Sequence, residues 1–236
     1  MSSKGQNKKS KSISMPKAIN VSKKNNYWIV TTKAGPHNKQ TAVPLGVILR
    51  DYACVAATMT DAKHILNKNE VKVNGVVRNA HQFPVGLFDV VAIEKQKLFF
   101  RVMFDTKERL VVKTMEKESK EKVSKVSKKV MTSKGIQITT NDGRTYYSVK
   151  ANVGDSVKLA LPEAKVTEVI EMKEGNLVYV TKGAHCTEVA KIKEIVKGTQ
   201  RRDELVKLSS GEKEFETTTR NVIVIGKSKP EMGDMQ

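Results

Sequence analysis

The residues from Pro44 to Glu94 place the tightest limits on what this chain can fold into, because the apolar spacing changes there from a helical period to an alternating one. Leu45, Ile48, Leu49, Tyr52, Ala53 and Ala56 recur at i, i+3, i+4 and i+7 spacing, one face of an α-helix. Pro44 stands at a first-turn position, where its missing N–H costs no hydrogen bond. Thr58 predicts the N-cap of a second helix, with Asp61 as its capping partner, and Met59, Ala62, Ile65 and Leu66 continue the apolar stripe. Lys63, His64, Asn67 and Lys68 fall on the other faces of that helix. Val71 and Val73 then alternate around Lys72, and Asn74-Gly75 predicts a two-residue hairpin turn, because both residues tolerate positive φ. Val76 and Arg78 continue the alternation on the return strand. After Pro84 and Gly86, the run Asp89-Val90-Val91-Ala92-Ile93 predicts a buried strand.

The remaining chain is too long for that element alone. Its 236 residues allow one large or two to three small domains, and an aromatic content of 5% argues for several small ones over one large ligand-binding core. The net charge of +18 points to polyanionic partners. Cys54 and Cys186 form neither a disulfide framework nor a zinc-ligand pair, which suits a reducing, cytoplasmic compartment. No run reaches the roughly 18 apolar residues of a membrane span, and no signal-peptide core is expected at the start.

Residues 1–24 are rich in Ser, Lys, Asn and Gln, and no acidic residue precedes Asp51. Such a segment cannot bury enough surface to offset its ordering, so it reads as a disordered tail, or as an arm that orders against phosphates. Tyr27-Trp28-Ile29-Val30 supplies a short apolar anchor, with Trp28 expected to pack on the next domain rather than stack on a base. Gly35-Pro36-His37-Asn38-Lys39 is a turn-forming linker that carries a cation.

Beyond Glu94 the pattern is mostly strand and turn. Leu98–Phe104 and Arg109–Val112 predict strands. Residues 113–129 are charge-dense and fit either a short amphipathic helix or a loop with a late strand. Ile136 and Ile138 lead into an Asn141-Asp142-Gly143 turn, and apolar residues alternate on both sides of Gly154-Asp155, so a small β-barrel is expected. Leu177–Thr181 then predicts a strand, followed by a Lys182–His185 loop and the apolar series Val189, Ile192, Ile195.

The signature Thr58–Leu66 followed by Val71-Lys72-Val73-Asn74-Gly75 resembles the small S-four RNA-binding domain. Gly35-Pro36-His37, Pro44-Leu45, Leu49-Arg50-Asp51 and Phe83–Val90 resemble, more narrowly, the S-four-e family of small-subunit ribosomal proteins of archaea and eukaryotes. Residues 177–195 look like a KOW motif, a strand-loop-strand RNA-binding unit, and Phe215-Glu216-Thr217 with Asn221–Gly226 resembles the closing strands of the S-four-e protein. Thr187 stands where the KOW motif has its most typical glycine, which requires a backbone there without positive φ, since a β-branched residue is disfavoured in that region.

The resemblance implies an α+β, multidomain chain: a basic arm and linker (1–42), an S-four-like α+β domain (43–104), a β-rich central domain (105–170) and a KOW-like, SH3-type C-terminal β-barrel (171–236). It implies a structural constituent of the small ribosomal subunit, in the cytoplasm, whose partners are rRNA and other small-subunit proteins, with no membrane, cofactor, metal or small-molecule substrate. A free RNA-binding translation or transcription factor is the alternative.

Double-stranded RNA hides its base edges, so proteins meet it through phosphates and 2′-hydroxyls and need cations on a rigid scaffold. Lys63, His64, Lys68 and Lys72, on or after the second helix, are the leading candidates, with Arg50 and Arg78 beside them. Lys8, Lys9, Lys11, Lys17, Lys33, His37 and Lys39 are candidates from the arm and linker, and Lys182, Arg201 and Arg202 from the C-terminal part. Lysine outnumbers arginine, which favours phosphate neutralisation over bidentate base readout. Enzymatic readings lack support: His185-Cys186 has no third orienting group, the histidines show no metal-ligand spacing, and no phosphate-binding glycine loop or nucleophile elbow is present.

Overall fold

Residues 10–116, 119–133, 135–211 and 213–227 are described by the structure, a computed structural model. The chain divides into two units, Met1–Met103 with Arg109–Glu118, and Phe104–Glu108 with Ser119–Gln236. Strands dominate among the described residues, and helices are few.

In the first unit, β1 (Ser10–Lys11) pairs antiparallel with β2 (Trp28–Ile29). β3 (Val43–Pro44) runs into α1 (Leu45–Val47), which continues as a π-helical segment, Ile48–Tyr52. The expected apolar face to Ala56 therefore breaks early. The Ala53 N–H reaches back to the Ile48 carbonyl, those of Val55 and Ala56 both reach Leu49, and Cys54 turns at φ 52°, so Ala56 is buried by a turn rather than a helix. The second helix, α2 (Met59–Asn67), starts as its residues dictate. Asp61 N–H donates to Thr58 Oγ1 at 3.2 Å and Thr58 N–H donates to Asp61 Oδ2 at 3.0 Å, a reciprocal capping box. Ala62 and Leu66 are fully buried, and Ile65, expected in the core, is half-buried.

β4 (Val71–Val73) and β5 (Val76–Val77) form the hairpin, with Asn74 at φ 53° and Gly75 at φ 76°, both left-handed as the turn demands. β6 (Pro84–Val85) pairs with β3, and β7 (Val90–Ile93), β8 (Leu98–Phe104) and β9 (Leu110–Met115) complete a sheet in the order β5-β4-β7-β8-β9. The arm departs from expectation. Lys8 and Lys9 lie outside the described residues, but from Ser10 onward the segment is folded. Met15, Ala18 and Ile19 are buried, Ile19 bridges to Leu110, and the Leu110 N–H donates to the Ala18 carbonyl at 2.7 Å. The Asn20 N–H donates to the Tyr52 hydroxyl at 2.7 Å. Three scattered apolar residues thus suffice to dock a lysine-rich segment whose average composition resembles disorder.

The second unit holds two five-stranded antiparallel sheets. β10 (Glu121–Thr132), β11 (Gly135–Thr140), β12 (Thr145–Tyr147), β13 (Ser156–Ala160) and β14 (Lys165–Ile170) lie in the order β12-β11-β10-β13-β14. β15 (Leu177–Val180), β16 (Val189–Val196), β17 (Leu205–Ser210), β18 (Lys213–Thr218) and β19 (Val222–Gly226) lie in the order β18-β17-β16-β15-β19. Val126, Ile138, Ala151, Val157 and Leu159 form the core of the first sheet, and Val178, Val180, Ile192, Val206, Leu208 and Val224 that of the second. From Glu121 on, the charge-dense stretch is strand, with no helix, and two of its lysines turn inward. Lys122 pairs with Asp142 at 2.5 Å, and Ser124 Oγ donates to the same carboxylate at 2.7 Å. Lys125 donates to the carbonyls of Thr219 and Val222 at 2.5 and 2.7 Å, and burial pulls its pKa down to about 8.

Candidate nucleic-acid interface

Four residues of the segments that carry the family resemblance, His37, Asn74, Gly86 and Asp89, converge inward. Asp89 is fully buried, and its partners include Asn74 Nδ2 at 2.7 Å, Gly86 N–H at 2.8 Å and His37 Nε2 at 2.8 Å. Asn74 Oδ1 in turn accepts from the Val90 N–H at 2.9 Å, tying the hairpin turn to β7. A side chain at Gly86 would place its Cβ 2.5 Å from the His37 ring, so the glycine makes room for the imidazole. A buried carboxylate is tolerated only when its lone pairs are met, and here linker, hairpin turn and β6–β7 loop each supply a donor. This corrects the expectation for His37. Its side chain is 9% exposed and faces Asp89, where it serves the fold rather than an outer surface.

The opposite arrangement holds on α2. With Ala62 and Leu66 inward, Lys63, His64, Asn67 and Lys68 are all exposed. The linker adds a cation to this face: Lys33 is exposed, and its backbone N–H donates to the Gln82 carbonyl at 2.9 Å. Lys33 and Lys63 both lie near enough to His81 for their charges to act on it. Burial lowers the pKa of His81, and the nearby charges of Lys63 and then Lys33 lower it further. No spacing signal in the sequence joins residues 33, 63 and 81. Three other candidates are committed within the protein. Lys72 is ion-paired with Glu94, Arg50 makes a two-point contact with Asp51 at 2.8 and 3.0 Å, and the Arg78 guanidinium lies 4.7 Å from the Phe83 ring centroid. Lys11, Lys17 and Lys39 are exposed.

In the second unit, Lys182 is exposed in the β15–β16 loop, and Arg201 and Arg202 are exposed between β16 and β17. The loop itself is strained: Thr187 adopts φ 77° while its N–H donates to the Val180 carbonyl at 2.9 Å. The expectation that a threonine there excludes positive φ is overturned; the loop hydrogen bonds hold the left-handed conformation despite the β-branched side chain. His185 and Cys186 do not combine. The imidazole stacks on Phe215 with centroids 3.9 Å apart and contacts Glu188, while the buried Cys186 thiol donates to the Thr181 carbonyl at 3.3 Å. Burial raises the pKa of that thiol, the reverse of what activates a nucleophile. Among the described residues no three potential ligands cluster to hold a metal, and no helix is long and apolar enough to cross a membrane.

Strand-rich units with a net charge of +18 and an outward set of cations on α2 define a basic protein suited to polyanions. Residues 96–166 match the model of Ribosomal family S4e. The small ribosomal subunit protein eS4 of Methanosphaera stadtmanae is 37% identical over 98% of this chain and 97% of its own length. That of Caenorhabditis elegans is 35% identical over 94% of this chain and 88% of its own. The crystal structure of the 30S ribosomal protein S4e from Thermoplasma acidophilum superposes with a TM-score of 0.68 at 31% identity, covering 80% of this chain and 96% of that one. The chain belongs to ribosomal family S4e, a family of structural ribosomal proteins and not of enzymes.

Proposed function

We propose that this protein is a structural constituent of the small ribosomal subunit that holds rRNA by neutralising phosphates from several modules at once. The observation that carries the reading is the outward cation set of α2, Lys63, His64 and Lys68, joined by Lys33 from the linker. Point charges on a rigid helix suit the backbone of A-form RNA, whose bases are out of reach. The relatives' names, small ribosomal subunit protein eS4, support the ribosomal setting. They favour it over a free translation or transcription factor.

The modules of this reading are the arm (1–42), an S-four-like domain (43–104), a central β domain (105–170) and a KOW-like barrel (171–236). The order β18-β17-β16-β15-β19 and the left-handed turn at Thr187, where the KOW motif places glycine, support the last of these. Lys182, Arg201 and Arg202 are its contacts to rRNA, and Lys11, Lys17 and Lys39, with Lys8 and Lys9 before them, are those of the arm and linker. Lys72, Arg50 and Arg78, which have partners within the protein, are the secondary contacts of the S-four-like domain in this reading. The partners are rRNA and other small-subunit proteins in the cytoplasm.

Sedimentation tests the setting, since the protein should travel with the small subunit in near-stoichiometric amount. A salt titration tests the mechanism. With about 6–10 phosphates neutralised, affinity for an rRNA fragment should fall by about 10³–10⁵ between roughly 50 and 200 mM salt. A slope near zero overturns it.

A further inference from the structure

The tryptophan of this chain does not pack where an apolar anchor should. Trp28 is 53% exposed and its neighbour Tyr27 is 62% exposed, with ring centroids 5.0 Å apart in an edge-to-face arrangement. The register of the β1–β2 ladder sets Lys11 directly across from Trp28, and the Lys11 ammonium lies 5.2 Å from the Tyr27 ring centroid. The ladder is pinned by the Ser12 N–H donating to the Tyr27 carbonyl at 3.0 Å and by Ser12 Oγ donating to the Asn26 carbonyl. Ile29, the next residue of β2, is buried, so the strand is anchored on the face opposite Trp28, and the exposed Tyr27 ring, just before the strand, stands edge-on beside the indole. Lys23 and Lys24 are exposed just before the pair, and no acidic residue occurs in the first fifty positions.

Exposing two aromatic rings forgoes burial that a strand of this size could use, and the surrounding charge decides what would cover them. An apolar protein surface would have to bury the Lys11 ammonium. A nucleotide meets both demands, with a flat base for the ring and a phosphate for the cation. We propose that Tyr27 and Trp28 form a stacking platform for an unpaired RNA base, with Lys11 holding the adjacent phosphate. The platform rests on the rRNA-binding reading and deepens it. The α2 face meets duplex backbone without regard to bases, whereas this platform takes a base that has left its helix.

Trp28 is the only tryptophan in the chain, so its fluorescence reports on the platform in the full-length protein. An oligoadenylate of about eight nucleotides should quench it, and an abasic oligomer of the same backbone should bind without quenching. In Trp28→Ala, affinity for the oligoadenylate, read by anisotropy of labelled RNA, should fall about 5- to 150-fold. Trp28→Phe should retain most of it, and affinity for an rRNA duplex should be unchanged in both. The melting temperature of each variant separates loss of stacking from loss of fold. Equal quenching by the abasic oligomer, or unchanged oligoadenylate affinity in a folded Trp28→Ala, overturns the platform while leaving the duplex-binding reading intact. Trp28 emission that shifts only when other small-subunit proteins are added also overturns it, in favour of a protein contact. Absence of binding to any RNA overturns both readings.

Discussion

The Asp89 cage and the outer face of α2 lie in the same unit and turn their polar groups to opposite ends. In the cage, His37, Asn74, Gly86 and Asp89 are spaced along the chain as a recognisable signature, and all of them point inward to satisfy one buried carboxylate. On α2, Lys63 and His64, within the Thr58–Leu66 signature, and Lys68 just after it point outward. The recognisable residues therefore divide, those around the carboxylate maintaining the fold and those on the helix presenting cations. The reason is geometric. A buried carboxylate accepts donors in few positions, so it restricts residue identity sharply, whereas a phosphate backbone accepts a cation from many positions.

If that division is right, breaking the cage should cost the most. Asp89→Ala leaves the donors of Asn74, Gly86 and His37 without their acceptor and should destabilise the first unit by about 3–5 kcal/mol, read by urea denaturation. An effect under about 1 kcal/mol would mean that the cage is decorative. Leu66→Ala empties a fully buried site on the inner side of α2 and should cost about 2–5 kcal/mol, with RNA affinity intact at temperatures where the unit stays folded. A silent Leu66→Ala would show that the helix is rotated from its position here.

Thr187 carries the comparison to the second unit, where a signature position is filled by the wrong residue. Thr187→Gly relieves a left-handed β-branched residue at the cost of a more flexible unfolded chain, so a net gain of about 0.5–1 kcal/mol is expected in thermal or denaturant unfolding. Destabilisation would show that the threonine side chain contributes more than its backbone strain costs. The smallest stability effect belongs to the cation face. Lys63→Ala with Lys68→Ala should change stability by less than about 0.5 kcal/mol, lower rRNA affinity several-fold and reduce the salt slope by about 2. A double variant that folds and binds normally would move the interface to the arm and the C-terminal sheet.

Much of the first unit was legible in the sequence because its signals are local. The Thr58–Asp61 box, the Asn74-Gly75 turn and the alternation of Val71 and Val73 each depend on residues a few positions apart, and each formed as its spacing dictates. The first helix was less legible, because its apolar period runs through Ala53 and Ala56 while the chain leaves the helix after Tyr52 by a π-turn that periodicity does not register. The arm misled in the other direction, since average composition hides Met15, Ala18 and Ile19, which dock it.

By itself the sequence determined the start of α2, the hairpins, the strand-rich character of the second half and membership of the family, all of which rest on short-range spacing or on direct likeness, whereas Pro44, expected in the first turn of α1, is extended and precedes it. Only the tertiary structure decided which way the polar groups face. His37 and Lys33 belong to one linker, yet one is drawn to a buried carboxylate and the other stays in solvent beside Lys63 and His81. Lys122 and Lys125 read as solvated charge until Asp142 and the carbonyls of Thr219 and Val222 meet them inside the second unit. Trp28 reads as core until the strand that carries it turns its other face inward. Each of these outcomes depends on desolvation and on partners distant in the chain, and neither is encoded in the neighbours of the residue concerned.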